Sequence, residues 1–188
     1  MVKAIVYESH TGFTRMYAKI LGWELGMEDR VYSLKEAEQK VCRGSEIIFL
    51  GWVCGGKVMG YEAAARPWRI RAVCAVGLNF PSEQRVRKVT AETRIQGCPV
   101  FYLQGGYRHD QQGLVYRTMM KVRVSALMAK EHKTEEDYKI LHMIREGANL
   151  VNEDSLAPVR EYLCNLYGGD GHPGQDAEKD TEKPEEQP

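Results

Sequence analysis

Short apolar runs at residues 3–7, 47–50, 72–77 and 100–103 restrict the fold of this chain more than any other feature. None alternates strictly between apolar and polar residues, which is how strands covered on both faces read. Helical patterns lie between them. Phe13, Tyr17, Ile20, Leu21 and Leu25 recur at three- and four-residue spacing, with Gly26 placed to end that helix. Residues 83–95 supply a second helix with sparse apolar positions at Val86, Val89 and Ile95, and residues 33–42 a short one after a weak strand at Val31 and Tyr32. Strand alternating with helix implies an α/β class: a doubly wound, five-stranded parallel sheet wrapped on both faces.

Residues 107–153 are too long for one strand-to-helix connection, so a helical insertion after the fifth strand is expected. One helix spans 114–130, with Leu114, Val115, Met119, Val122, Leu127 and Met128 among Arg117, Lys121, Arg123 and Lys130. Another runs from 134 to 147, where Thr134 precedes Glu135, Glu136 and Asp137, a capped N-terminus with negative charge at the positive end of the helix dipole. A last helix at 154–167 closes on Gly168 and Gly169, and residues 168–188, rich in Gly, Pro, Asp, Glu and Lys, read as a disordered acidic tail. With 188 residues, 43% of them apolar, the chain supports a single core, here over residues 1–167.

Lys plus Arg equal Asp plus Glu at 26 each, so net charge gives no pull toward nucleic acid. The five cysteines are odd in number and widely spaced, without a CxxC pair, as in reduced thiols packed as small hydrophobes. The histidines show no metal-ligand spacing, so no metal site is expected. The opening residues enter a strand pattern without a basic or long apolar leader, and no run of about 18 apolar residues occurs. The expected location is cytoplasmic.

The stretch with the most chemistry is Ser9-His10-Thr11-Gly12-Phe13-Thr14, between the first strand and the first helix. A helix N-terminus offers unpaired N–H groups and a positive dipole end. Ser9, Thr11 and Thr14 add hydroxyls, Gly12 permits close backbone approach, and His10 lies within the loop. This is a phosphate cup built of neutral donors, with Arg15 just after it. It lacks the lysine of a Walker loop and the three glycines of a dinucleotide fingerprint. The same residue types also serve simply to cap a helix.

The pattern Ser-x-Thr-Gly-x-Thr after an N-terminal strand resembles the FMN phosphate loop of flavodoxins, with Ser9, Thr11, Gly12 and Thr14 on the fixed positions and Phe13 where many members have a small polar residue. The resemblance covers residues 1–167 and implies FMN as cofactor. It also implies two loops that hold the isoalloxazine ring. One is Trp52-Val53-Cys54-Gly55-Gly56-Lys57, where Gly55 and Gly56 bare backbone N–H groups toward the ring. The other is Leu78-Asn79-Phe80-Pro81-Ser82. Phe80, Trp52 or Tyr61 would stack on the ring, while Trp52 suits the core equally well. Cys54 would lie near the ribityl chain. The acidic residues common around FMN in flavodoxins are absent, and Lys57 is present.

After the fifth strand, Gly105-Gly106-Tyr107-Arg108, a helix with Tyr116 and Met119-Met120-Lys121, and Lys133-Thr134-Glu135-Glu136-Asp137 resemble the branch containing quinone-dependent protoporphyrinogen dehydrogenases. In that branch the insertion would meet the porphyrin, with Arg108, Arg117 and Lys121 on its propionates, or a membrane surface through 114–130. The alternative is that Met119, Met120, Leu127 and Met128 pack on the sheet and the charges are solvated. The expected function is that of an FMN-binding electron-transfer protein with a redox partner protein. A flavin-dependent dehydrogenase acting on a small substrate with a quinone, and a regulatory domain without cofactor, are the alternatives.

Overall fold

The computed structural model describes residues 1–109 and 113–167, and of Leu114 and Val115 the backbone alone. The tail at 168–188, with Gly168 and Gly169, lies outside the described residues. Five parallel strands form the core sheet: β1 (Ala4–Glu8), β2 (Val31–Ser33), β3 (Glu46–Cys54), a two-residue strand β4 (Lys57–Val58) beside it, then β5 (Arg69–Gly77) and β6 (Val100–Gln104). Their order is β2-β1-β3-β5-β6, with β4 antiparallel to β3. Counted along the five core strands this is 2-1-3-4-5, the flavodoxin-like doubly wound order.

Side-chain alternation splits each strand between two cores. Ile5, Ile48, Leu50, Cys74 and Val76 point toward α1 (Phe13–Glu24) and α7 (Ala157–Tyr167), where Tyr17, Leu21, Val159 and Leu163 meet them. Val6, Ile47, Phe49, Val73 and Ala75 point the other way, toward Ala37 of α2 (Leu34–Lys40), Ala64 of α3 (Tyr61–Ala65) and Val89 of α4 (Glu83–Thr93). Ile5, Ile47, Ile48, Phe49 and Leu50 are fully buried, which explains the unbroken apolar run of β3. Each such burial stabilises by about 1.5–3 kcal/mol.

Tyr17 ties three elements at the cavity end of the sheet. Its hydroxyl donates to the Gln104 carbonyl at 2.7 Å and accepts from the Asn152 N–H at 3.3 Å. A polar atom on a fully buried residue is thereby satisfied, as burial requires.

The insertion holds β7 (Gly106–Tyr107), α5 (Leu114–Met128), α6 (Glu135–Glu146) and β8 (Ala148–Asn149), with β7 and β8 paired antiparallel. It has its own small core, in which Tyr107, Met120, Leu127, Ile140, Met143 and Ile144 gather around Leu78. The N-terminus of α6 is a full capping box. Thr134 Oγ1 accepts from the Asp137 N–H, and an Asp137 carboxylate oxygen accepts from the Thr134 N–H. Lys130, 2.7 Å from that carboxylate, and these Thr134 contacts hold the Asp137 carboxyl down at about 2.

Helix α5 departs from the expected packing of its methionines on the sheet. Met120 and Leu127 are buried as expected, but against α6 and Tyr107; Met119, Val122 and Met128 are exposed. The inward stripe runs through Tyr116, Met120, Arg123 and Leu127, so a charged residue occupies a position that periodicity alone assigns to an apolar one. Among the described residues, no helix is long and apolar enough to cross a membrane.

Candidate functional site

A cavity of 440 Å³ opens at the carboxyl ends of the parallel strands, where a doubly wound sheet has its binding crevice. The loop after β1 reaches it through Thr11, Phe13 and Thr14, the turn after β3 through Val53, Cys54, Gly55 and Gly56, and the loop after β5 through Leu78 and Asn79. Three loops far apart in sequence thus share one space.

The first loop is an open helix start. Gly12 is the N-cap of α1 with φ +91°, a left-handed conformation that glycine adopts without strain, and no side chain bonds from the N-cap position. Instead the N–H groups of Gly12 and Arg15 converge on one oxygen, Ser9 Oγ, at 3.2 and 3.4 Å. Ser9 and His10 sit behind and beside the cavity rather than on its lining; Thr14 is buried at 1% exposure yet reaches it. The capping alternative is therefore present in Ser9, while Thr11 and Thr14 line the cavity.

The structure adds a cation here that the loop's own sequence lacks. The Arg108 guanidinium lies 5.0 Å over the Phe13 ring and 3.7 Å from where a Cβ on Gly12 would stand. Phe13 serves as its platform. The ring of Phe13 also fills the space left by Gly105 and Gly106, where an added Cβ would meet Phe13 atoms at 3.3 and 2.7 Å.

Gly55 and Gly56 have a structural reason of their own. Cys54 pairs with Lys57, leaving the two glycines as the central residues of a two-residue hairpin with φ of +58° and +85°. Positive φ at both positions is what such a tight hairpin demands. The hairpin was not foreseen from the sequence, because β4 is only two residues long and carries no periodic signal. Its far side is pinned to α4 by the Val58 N–H, which donates to Thr93 Oγ1 at 2.9 Å. Burial raises the Cys54 thiol above its ordinary pKa, which disfavours the thiolate.

Of the aromatic candidates, Trp52 faces the cavity. It stacks on His10 with centroids 5.0 Å apart and 22° between planes, and Tyr116 from α5 meets it edge-on at 5.9 Å. Phe80 packs instead against the insertion core, with Lys139 Nζ 5.9 Å from its ring. Tyr61 lies edge-on to Phe49 in the second core layer.

The insertion forms the roof. Tyr116, Met119, Met120 and Arg123 of α5 line the cavity, with Arg85 and Lys88 of α4 on the adjoining wall. Two polar contacts seat it: Arg85 pairs with Glu136 at 2.5 Å, and the Arg123 guanidinium donates to Asn79 Oδ1. Sequence reasoning missed these residues because nothing local marks an arginine as turned inward. Thr11 and Thr14 at a helix start, and a crevice of this volume, fit a flat ligand with a phosphate tail. No protein-family model matches the chain, and no curated protein or solved structure is significantly similar to it.

Proposed function

We propose that this chain is a flavodoxin-like redox protein that binds FMN. The observation that carries the reading is a single cavity touched at once by the loop after β1 and by the loops after β3 and β5. That is the arrangement required by a ligand whose phosphate and ring must be held at different places. Thr11, Thr14 and the α1 N–H groups would take the phosphate, with Arg108 nearby for its charge. Trp52 and Tyr116 would border the ring, and α5 would shield it from water. When bound, FMN supplies the uptake and release of electrons; the protein supplies binding, orientation and electrostatics.

A second reading, a flavin-dependent dehydrogenase of the protoporphyrinogen and quinone type, is favoured by one observation. The insertion places Tyr116, Met120 and Arg123 over the cavity, whereas a carrier that trades electrons with a partner protein works best with an open ring edge. Exposed Val122 and Met128 beside Lys121 and Lys130 on α5 suit contact with an anionic bilayer surface. We keep the cytoplasm as its compartment, on the odd number and wide spacing of its cysteines.

The test is the absorption spectrum of the purified protein. A yellow protein with flavin bands, whose chromophore is released by denaturation and identified as FMN, is the expected result. A colourless protein that also fails to take up added FMN overturns the reading. Turnover of a porphyrinogen with a quinone separates the dehydrogenase from the carrier.

A further inference from the structure

The charge around the cavity is one-sided. Arg85, Lys88 and Arg123 belong to its lining and no carboxylate does. Arg85 is compensated by Glu136 at 2.5 Å. For Arg123 and Lys88 no salt bridge occurs among the described residues. Arg123 reaches instead to neutral Asn79 Oδ1, and burial pulls its guanidinium below its ordinary pKa. With Arg85 paired to Glu136, and Glu92 beside Lys88 at Gly56, the half-buried Arg123 is the lining cation that meets only a neutral partner in a hydrogen bond. A half-buried guanidinium held by a neutral amide keeps charge to spare, so this wall favours negative charge that arrives with or develops on the ligand.

We infer that this wall raises the reduction potential of the flavin, making the protein an acceptor of electrons from its substrate. The inference rests on the FMN reading above. Uptake of two electrons and one proton turns the neutral oxidised ring into an anion, with electrons and proton both coming from the reduced donor. Cations beside the ring would favour that anion over the neutral ring, the half-buried Arg123 most strongly, because attraction is screened less away from bulk water. The phosphate does not contribute to this difference, since its charge is the same before and after reduction.

The experiment measures the potential of the FMN-loaded protein by equilibration with reference dyes, alongside the affinity for oxidised FMN. Reduced flavin is expected to bind at least about tenfold more tightly than oxidised flavin, which for a two-electron couple places the potential about 30 mV or more above free FMN. The double variant Lys88→Gln/Arg123→Gln should lose that advantage, its affinity for reduced FMN falling more than its affinity for oxidised FMN. Arg123→Lys, which keeps the charge, should retain it. A wild-type protein that binds FMN with a potential at or below that of the free cofactor overturns this inference alone. An unchanged potential in the double variant does the same. A protein that binds no FMN overturns both readings.

Discussion

Replacing Thr11 and Thr14 together by valine should weaken FMN binding by a factor on the order of 10² to 10⁴ while leaving the fold intact. Both residues reach the cavity where α1 begins, and Thr14 does so with only 1% of its surface exposed. Valine keeps the shape and β-branching of threonine, so α1 and its packing survive. What is lost is a hydroxyl donor to a charged group at each position, about 1.5–3 kcal/mol apiece. The N–H groups at the start of α1 remain, which sets the floor of residual binding. Titration of FMN into variant and parent, with circular dichroism to check the fold, reads the effect. Unchanged affinity would mean that the cup does not hold the phosphate.

Phe49→Ala should destabilise the protein by about 3–5 kcal/mol, at the upper end of what a single core truncation costs. Phe49 is fully buried on the central strand β3. Its ring lies under the hairpin, so close that a Cβ added to Gly51 or Gly60 would come within 3.0 or 3.1 Å of it. Those neighbours have no side chains to move into the gap. The Gly51 region is also pinned between strands and against the Met59 carbonyl, so the gap cannot close from the glycine side. Guanidinium unfolding of the purified variant measures the loss, and Phe49→Leu, which refills most of the volume, should recover the larger part of it. A loss below about 1 kcal/mol would contradict the packing described for this layer.

The architecture was legible in the sequence because the strands of a doubly wound sheet are buried on both faces. The runs at 47–50 and 72–77 announce strands that the structure extends to Glu46–Cys54 and Arg69–Gly77. Their added ends carry Glu46, Trp52 and Arg69, half-buried or exposed residues that no apolar run includes. The capping box of α6 was equally readable, since Thr134 and Asp137 stand three apart and act locally. The β4 hairpin was not, because its two-glycine turn admits more than one purpose in sequence. Tight turns and close ligand approach ask for the same residue.

For the candidate site, the chain order of the loops was enough to bring Thr11, Thr14, Cys54, Gly56 and Asn79 to one crevice. The loop after β5 divided in a way that sequence does not show: Leu78 and Asn79 reach the crevice, while Phe80 turns to the insertion. The contributions of α5 were hidden for a similar reason. Arg117, Lys121 and Arg123 look alike in sequence, and only the docking of the insertion turns Arg123 inward toward Asn79. Arg108 follows the same logic, reaching the first loop from nearly 100 residues away through β7 rather than through any local pattern.

The most direct test of the central claim compares FMN with riboflavin, which has the same ring and no phosphate, by calorimetric titration under identical conditions. The phosphate cup predicts one FMN per chain and riboflavin weaker by at least about a hundredfold, the loss expected from two donors to a charged group. Equal affinity for the two, or binding of neither, would contradict it.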